Sequence, residues 1–297
     1  MIIARVAIFA TLFSYPVFAD QSGHPVTLWQ VQGAHNSIYL LGSIHLLRPQ
    51  DYPLPAVFEK AYDDAEVLIM EVDMDDLDPF AAQAAFTSHG VLHDDTTLRD
   101  LMGEDLYQQA SDAAARIDIS LDMLEKTEPW YAAITVEILV LNRIGFDPAL
   151  GIDMHMMSKA AADGKPIHGL ETIEEQIQFL DGMPLAAQRN MLLATLEEGA
   201  ELGDEMDKLI DAWRHGDIGY LTHRLLQSFA EHPELKKAII TDRNARWVEY
   251  INALLNDDDD YLIIVGALHL VGDDGLPERL ARSGVNIHQL RESPTLK

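Results

Sequence analysis

The sequence predicts an α/β protein in which a central sheet, built from the N- and C-terminal segments, carries a large helical middle region. Short apolar runs of strand length occur near both ends, whereas apolar residues at helical spacing dominate from about residue 80 to residue 256. Of the 297 residues, 48% are apolar, which is enough to close a substantial core. We expect one α/β domain over residues 20–297, with residues 80–256 as a mostly helical insertion.

The first 19 residues have the pattern of an export signal. Arg5 supplies a positive charge, Val6–Phe13 is mostly apolar, and Val17–Ala19 ends in small residues of the kind that signal peptidase recognises. The apolar run is shorter than the ~20 residues that a membrane-spanning helix requires, which disfavours an uncleaved anchor. We therefore expect cleavage after Ala19, no stable membrane insertion afterwards, and a periplasmic or secreted protein.

Strand-like runs begin directly after this segment. Val26–Val31 and Ser37–Leu41 are separated by a short stretch with Gly and Asn, which favours a β-hairpin. A helix-like segment, Pro55–Asp64, precedes the next run. The remaining strand candidates are Ala65–Val72, Lys165–Leu170, Tyr261–Val265 and Val285–Leu290. Helical spacing is clearest in two sets, one of Ile134, Ile138 and Leu141 and one of Trp247, Ile251, Leu254 and Leu255.

Charge and cysteine content exclude several functions. The chain has 21 Lys and Arg against 49 Asp and Glu, a formal charge of −28, and no block of basic residues. Such a molecule repels phosphate backbones, so nucleic acid is not an expected partner. The absence of cysteine excludes disulfides, thiolate zinc sites and a cysteine nucleophile.

The two ends of the chain carry similar segments. Residues 38–47 and 262–271 both read as an apolar strand that ends in Gly-x-x-His, with Gly42 and His45 in the first and Gly266 and His269 in the second. The four-residue motif alone is weak, and a single histidine is more often structural than functional. Ligands bind at the carboxyl ends of strands in open α/β sheets, so two matched strand ends predict that His45 and His269 share a site.

Carboxylates at strand ends are the next candidates. Glu71 ends an otherwise apolar strand, where a buried carboxylate requires a partner, although the strand could also turn outward there. Glu171 occupies a similar position but could instead cap the helix that follows it. Asp153, in Gly151-Ile152-Asp153, is an equally ambiguous candidate.

These residues are suited to hydrolysis by either of two routes. Two histidines and a carboxylate could hold a divalent metal such as Mn, Co or Zn, which would make bound water a nucleophile. Without metal, Glu71 could act as general base toward water, assisted by histidine. Arg243 could stabilise a developing oxyanion, although Arg243 and Arg246 are expected in the first turn of a helix, where the helix dipole disfavours a cation.

At these positions the sequence resembles the TraB/GumN family, which includes the Tiki proteases. The resemblance covers most of the mature chain and rests on the following segments: Tyr39–His45, the Glu71 strand, Gly151–Asp153, Gly164–Pro166, Leu170–Thr172, Arg243-Asn244 with Trp247, and Val265–His269 with Gly272. It implies paired Gly-x-x-His motifs with a glutamate and an arginine in one site, and, for the Tiki relatives, a divalent-metal-dependent peptidase. It also implies a distant fold relation to erythromycin esterases and to ChaN-type haem-binding proteins. The family usually has a second glycine before the last histidine, where this chain has Ala267-Leu268.

The resulting prediction is an exported, metal-assisted hydrolase that acts on peptide or small acyl substrates. His45, Glu71 and His269 form its predicted centre and are the predicted ligands of the divalent metal. Arg243 is predicted to belong to the site, and Gly42, Gly266, Asp153 and Glu171 are second-rank candidates. One alternative is a non-enzymatic protein that binds haem or metal between the same histidines, with additional ligands drawn from Tyr39, Met154, Met156 and Met157. A third possibility is a purely structural member of the family.

Overall fold

The computed structural model describes residues 23–72, 79–227, 229 and 233–293. The predicted export signal, residues 1–19, lies outside these residues, so cleavage and export stay predictions. Within the described ranges, no helix is both long enough and apolar enough to cross a lipid bilayer.

The described residues form one six-stranded sheet with helices around it. The strands are β1 (His24–Gln32), β2 (Ser37–Ser43), β3 (Val67–Val72), β4 (Ile167–Glu171), β5 (Tyr261–Gly266) and β6 (Ile287–Glu292). Their order across the sheet is β4-β3-β5-β2-β1-β6. The predicted α/β class is confirmed, and each strand-like run of the sequence is a strand whose ends differ from the prediction by at most two residues.

The first and last parts of the chain lie side by side in this sheet. β2 pairs in parallel with β5 from Ile38↔Tyr261 to Ser43↔Gly266. β3 is parallel to both β5 and β4, whereas β1 is antiparallel to its two neighbours, β2 and β6. The four parallel strands therefore end at one edge of the sheet, and β5 is buried along its whole length because both faces are covered.

The hairpin between β1 and β2 is attached to the acidic turn that precedes β5. The side-chain amide of Asn36 donates to the carbonyl oxygens of Leu254, at 2.9 Å, and Asp259, at 2.8 Å. The N–H of Ser37 donates to the carboxylate of Asp260 at 2.6 Å. These contacts fix β2 beside β5 at the end of the sheet opposite to the site.

Helices connect the strands and cover both faces. They are α1 (Ala56–Asp64), α2 (Pro79–Gly90), α3 (Leu98–Met102), α4 (Glu104–Arg116), α5 (Pro129–Arg143), α6 (Ile152–Asp163), α7 (Ile173–Asp181), α8 (Leu185–Glu198), α9 (Leu202–Arg214), α10 (Ile218–Gln227), α11 (Pro233–Lys236), α12 (Asp242–Leu254) and α13 (Leu276–Arg282). A π-helical turn, Lys237–Thr241, joins α11 to α12. Gly164 ends α6 in the left-handed conformation, with φ of 70°, which glycine adopts without steric cost.

The apolar residues form separate cores. One face of the sheet packs against α1, α6 and α9, with Phe58, Ile152 and Trp213 fully or almost fully buried. The other face packs against α12 and α13, with Trp247 and Leu276 at its centre. A further cluster, which we call the helical core, lies among α3, α4, α5 and α8 and includes no strand residue.

The buried face of α5 differs from the predicted one. Ile138 is exposed, with 36% of its surface accessible, although Leu141 is buried as its spacing suggested. Ala133, Val136 and Val140 line the buried face instead. Most residues of α5 are apolar, so the spacing of its large side chains alone does not define the face that packs.

Candidate active site

Three predicted side chains converge on Gly266, the last residue of β5. A Cβ atom at Gly266 would lie 3.3 Å from Oε1 of Glu71, 3.7 Å from Nε2 of His45 and 3.9 Å from Cδ2 of His269. A side chain at this position would crowd these groups, so glycine allows them to lie close together around the end of β5. The structure thus brings both imidazoles and the carboxylate together at the carboxyl edge of the parallel strands.

His45 follows β2 and is held by the first turn of α6. Its Nδ1 lies 2.8 Å from Oδ2 of Asp153, and 64% of its side-chain surface is exposed. The negative charge of Asp153 raises the pKa of His45 to about 9. The ring is therefore protonated at neutral pH, with Nδ1–H donated to Asp153 and Nε2–H on the side of Gly266.

The Gly151-Ile152-Asp153 segment makes this pairing possible. The N–H of Ile152 donates to the carbonyl oxygen of Ile44 at 3.0 Å. A Cβ atom at Gly151 would lie only 2.1 Å from the carbonyl oxygen of His45, so a side chain there would push α6 away. Glycine therefore allows the helix to approach closely enough for Asp153 to reach His45.

Glu71 is the penultimate residue of β3, and only 15% of its side-chain surface is exposed. Its Oε1 accepts a hydrogen bond from the N–H of Gly266 at 2.7 Å. Its Oε2 accepts from Arg243 at 2.7 Å and from Nε2 of Gln176 at 3.0 Å. A carboxylate accepts about four hydrogen bonds, so Oε1 can accept one more from water or substrate.

His269 lies in the short 3₁₀ turn Ala267–Leu270 and is buried. Its Nδ1 is 2.7 Å from Oδ1 of Asn244, and its Nε2 is 3.1 Å from a terminal nitrogen of Arg243. A guanidinium can only donate, so Nε2 is assigned as the unprotonated nitrogen and Nδ1 as the donor to Asn244. Burial lowers the pKa of His269 to about 4, so the ring is neutral at neutral pH.

The charges around Glu71 keep it ionised. Burial opposes the ionisation of Glu71. The positive charges of Arg243 and of His269, when that ring is protonated, outweigh burial and lower the pKa of Glu71 to about 2. His45 and the Gly266 N–H make smaller contributions in the same direction. Because His269 is neutral at neutral pH, Arg243 is the cation in direct contact with Glu71 there. The site therefore combines an ionised carboxylate, a protonated imidazole and a neutral imidazole.

Arg243 donates all five of its N–H groups to protein acceptors. Nε donates to Glu171 at 3.0 Å, and one terminal nitrogen donates to Glu71 and Glu171, both at 2.7 Å. The other terminal nitrogen donates to His269 at 3.1 Å and to the carbonyl oxygen of Ile239 at 3.4 Å. No donor remains for an oxyanion, so this geometry gives Arg243 the role of positioning Glu71 and His269 and does not support the predicted contact with substrate.

Arg243 does not lie in the first turn of a helix, where the helix dipole was expected to disfavour its charge. The chain is helical from Pro233 through the turn Lys237–Thr241 into α12, so Arg243 is preceded by helical turns. The partial positive charge of a helix is confined to its first turn, which here lies before Arg243. Two carboxylates also neutralise its charge.

Glu171 is the second carboxylate that holds Arg243. It ends β4, only 1% of its side-chain surface is exposed, and it also accepts from Arg246 at 2.9 Å. The alternative that Glu171 caps the next helix is wrong, because the hydroxyl of Thr172 accepts from the N–H of Glu175 and caps α7. Glu171 is therefore buried with paired charges and lies behind Arg243.

Gly42 does not line the site. A Cβ atom there would lie 2.6 Å from Cγ2 of Thr27, and the carbonyl oxygen of Gly42 accepts from the indole of Trp213 at 2.7 Å. Its small size permits packing between β2 and its neighbours. The two glycines of the repeated motif thus differ, because only Gly266 borders the reacting groups.

The additional ligands considered for haem lie apart or are buried. Tyr39, near the start of β2, donates to Asp64 and lies four strand residues, about 13 Å, before the end of the strand that His45 follows. Of the three methionines, Met156 is buried, Met157 packs partly against the same core and Met154 is exposed. Tyr39 therefore cannot ligate a haem together with His45.

The predicted metal ligands do not fit a divalent ion in this arrangement. The lone pair of His269 Nε2 accepts from Arg243, which also occupies Oε2 of Glu71. Among the residues that the structure describes, no three His, Asp or Glu side chains are placed to hold a metal. Metal dependence stays a prediction.

Two residues of the site were not among the predicted candidates. Asn244 is fully buried and, besides contacting the His269 ring, donates to the carbonyl oxygens of His269, at 3.1 Å, and Asp274, at 2.8 Å. Its place beside Arg243, three residues before the buried Trp247, was an available signal. Gln176, on α7, carries no sequence signal for its contact with Glu71.

Comparison with known proteins identifies the family. A family model described as TraB/PrgY/gumN matches residues 27–289, which include both Gly-x-x-His segments and the intervening site residues. The chain belongs to this family. The resemblance inferred from the sequence motifs is therefore confirmed.

The individual relatives share only about a quarter of their residues with this chain. The uncharacterized protein YbaP of Escherichia coli (strain K12) is 26% identical over 243 residues, which cover 82% of this chain and 87% of YbaP, and YbaP of Shigella flexneri gives the same values. An uncharacterized protein of Treponema pallidum (strain Nichols) is 22% identical over 269 residues, 84% of this chain and 78% of that protein. No solved structure matches the chain significantly. The names of these relatives state no activity, so a function has to be inferred from the residues themselves.

Proposed function

We propose that this TraB/PrgY/gumN protein hydrolyses peptide or related acyl bonds by general acid–base catalysis. The observation that carries the proposal is the placement of an ionised carboxylate, Glu71, and a protonated imidazole, His45, next to each other around Gly266. A group that accepts a proton and a group that donates one are the two parts that acyl hydrolysis requires.

In the attack step, water donates a hydrogen bond to the free lone pair of Glu71 Oε1. The water oxygen forms a bond with the acyl carbon while its proton passes to Glu71. A carboxylate with a pKa of about 2 is always ionised near neutral pH but is a weak base. We therefore assign Glu71 mainly the task of orienting water, with a smaller gain from proton transfer.

In the second step, the bond between the acyl carbon and the leaving atom breaks. His45 donates the proton on Nε2 to that atom, which is what an amide nitrogen needs to leave as an amine. Asp153 stabilises the protonated ring and fixes its orientation through Nδ1. The proton held by Glu71 then returns to His45, and both groups recover their starting states.

His269 and Arg243 support these steps without contacting the substrate. Arg243 links Glu71 to His269, and Asn244 fixes the tautomer of the buried ring. This network holds the Glu71 carboxylate in one orientation, so that Oε1 faces the space beside Gly266. Positioning of this kind is a large share of catalytic power in many sites.

A library of internally quenched peptides and simple esters, incubated with the purified protein, tests the proposal. We expect hydrolysis by the wild type and a loss of about 10²- to 10⁴-fold in Glu71→Gln. Glu205→Gln is the matched control, because Glu205 also pairs with cations but lies outside the site. Absence of hydrolysis by the wild type, or full activity of Glu71→Gln, contradicts the proposal, and a Soret band in the purified protein would favour the haem-binding alternative.

We also propose that the chain is exported, on the basis of its first 19 residues. N-terminal sequencing of the protein after expression in a bacterium, with fractionation of the cells, tests this directly. Export predicts a mature chain that begins at Asp20 and is found outside the cytoplasm. Recovery of a chain that begins at Met1 would contradict it.

A further inference from the structure

The two arginines of α12 differ in the donors that they leave free. Arg243 is buried, and all five of its N–H groups have protein acceptors. Arg246 lies one helical turn away with 50% of its side-chain surface exposed, and its guanidinium makes one hydrogen bond to the described residues, to Glu171 at 2.9 Å. Arg246 therefore has donors available to a ligand, whereas Arg243 has none.

Arg246 is held beside Arg243 by its neighbours. Glu171 bridges it to Arg243, and the ring of Phe179 lies 5.2 Å from the guanidinium carbon of Arg243 and 5.8 Å from that of Arg246. An arginine beside a carboxylate and an aromatic ring loses less conformational entropy when it binds a ligand than one that extends freely into solvent.

The positive charge of Arg246 affects how the site can bind an anionic substrate. The whole chain carries −28, so its field repels an anionic substrate at a distance. Within the site, Glu71 and Glu171 carry one negative charge more than Arg243, and Arg246 cancels it. An anionic group on a substrate can thus be held next to Arg246 without facing an uncompensated carboxylate.

The sheet sets the distance between Glu171, which holds Arg246, and Gly266, around which the reacting groups lie. Gly266 ends β5 and Glu171 ends β4, and β3 lies between these two strands. Two strand spacings are about 10 Å, which is the length of about three residues of an extended peptide.

We propose that Arg246 forms an anion-binding subsite for a carboxylate of the substrate about three residues from the bond that is cleaved. This inference rests on the proposed hydrolase function, since it places the subsite relative to the reacting groups beside Gly266. Arg246 is then a specificity-determining residue that binds substrate without taking part in proton transfer.

Peptides that carry one Asp, scanned from one to five residues on either side of the cleaved bond, test this against the same peptides with Asn. We expect the wild type to prefer Asp over Asn about five- to tenfold at about the third position, through a lower KM with unchanged kcat. Arg246→Gln should abolish the preference, and Arg246→Lys should restore part of it. Arg99→Gln is the control, because Arg99 is equally exposed, at 51%, and pairs with one carboxylate on α4.

A binding assay separates this inference from the proposed function. Fluorescein-labelled alanine-rich octapeptides with a single Asp or Asn are titrated with the wild type and with Arg246→Gln. Tighter binding of the Asp peptide, lost in the variant, supports the subsite even if no peptide is cleaved, whereas missing cleavage contradicts the hydrolase alone. Equal binding of the two peptides, no binding of either, or an equal loss for both in Arg246→Gln overturns the subsite and leaves Arg246 as a neutraliser of Glu171.

Discussion

The two Gly-x-x-His segments have nearly the same sequence but place their histidines in opposite surroundings. His45 is exposed, pairs with the carboxylate of Asp153 and has a pKa of about 9. His269 is buried, pairs with the amide of Asn244 and has a pKa of about 4. The motif therefore fixes where each ring lies, and the partner on Nδ1 together with burial fixes its charge.

The difference in charge and exposure gives the two histidines different roles in the proposed mechanism. A protonated, accessible imidazole can give a proton to a substrate, whereas a neutral, buried imidazole whose Nε2 faces a guanidinium can only hold that guanidinium in place. The network Asn244–His269–Arg243–Glu71 then transmits this positioning to the carboxylate. Substitutions at these residues should therefore affect the rate of hydrolysis and the free energy of unfolding to different extents.

The largest expected effect comes from removing each ring in turn. His45→Gln should lower kcat by about 10²- to 10⁴-fold, because the proton donor is lost. Above about pH 9, where His45 no longer carries the charge that pairs with Asp153, this substitution should change the free energy of unfolding by less than about 0.5 kcal/mol at an exposed position. His269→Gln should lower the free energy of unfolding by about 1–3 kcal/mol, because buried partners lose their hydrogen bonds. Peptide hydrolysis and urea denaturation measure the two effects, and equal stability losses in both variants would contradict the comparison.

Substitution of the two glycines of the motif should likewise have different effects, one on stability and the other on activity. Gly42→Ala places a methyl group 2.6 Å from Thr27 and 3.3 Å from the Cα of Ala267, so we expect a loss of about 1–3 kcal/mol in unfolding free energy. Gly266→Ala meets Glu71 Oε1 at 3.3 Å, and its φ of −49° suits alanine. It should leave the melting temperature within a few degrees of wild type but lower kcat/KM, and a melting temperature reduced as far as that of Gly42→Ala would contradict this assignment.

Exchanging the Nδ1 partners should move the two pKa values toward each other. Wild-type activity should be level near neutral pH and fall as pH rises through about 9, because His45 then loses its proton. Asp153→Asn removes the charge that raises this pKa, so the fall should begin at lower pH. Asn244→Asp adds a negative charge beside His269 and should raise its pKa above about 4. NMR titration of the ring protons and pH–rate profiles measure these shifts, and an unchanged alkaline limb in Asp153→Asn would exclude His45 as the proton donor.

The smallest expected effect is that of chelators. Because Arg243 already occupies the lone pair of His269 Nε2 and one oxygen of Glu71, dialysis against EDTA should leave kcat/KM unchanged. Elemental analysis should then find no Mn, Co or Zn in stoichiometric amount. Activity that is lost on chelation and restored by one of these ions would instead establish the metal dependence that the Tiki resemblance implies.

Much of the sheet could be predicted because its strands are apolar on both faces. The runs around Leu40, Ile69 and Ile263 have few polar residues and end at recognisable positions, so both their type and their ends are visible in sequence. The face of α5 that packs could not be predicted, since Ile138 and Val136 are equally apolar and only the position of α8 selects between them.

For the site, the sequence supplied the side chains but not their pairings. His45, Glu71 and His269 could be predicted from their strand ends, whereas Asp153 and Asn244 reach their partners across sequence separations of 108 and 25 residues. For the same reason, the partners of the Arg243 guanidinium could not be predicted. Whether a guanidinium is free or fully bonded depends on Glu171 and Ile239, and no local pattern records those contacts.

The helical core among α3, α4, α5 and α8 contains no strand residue. Its packing is therefore energetically separable from that of the sheet, and local opening of these helices can expose their amide protons while β2 and β5 remain protected. The same separation allows substitutions on the surface and in the loops of this part of the chain while Glu71 and His45 keep their positions at the edge of the sheet.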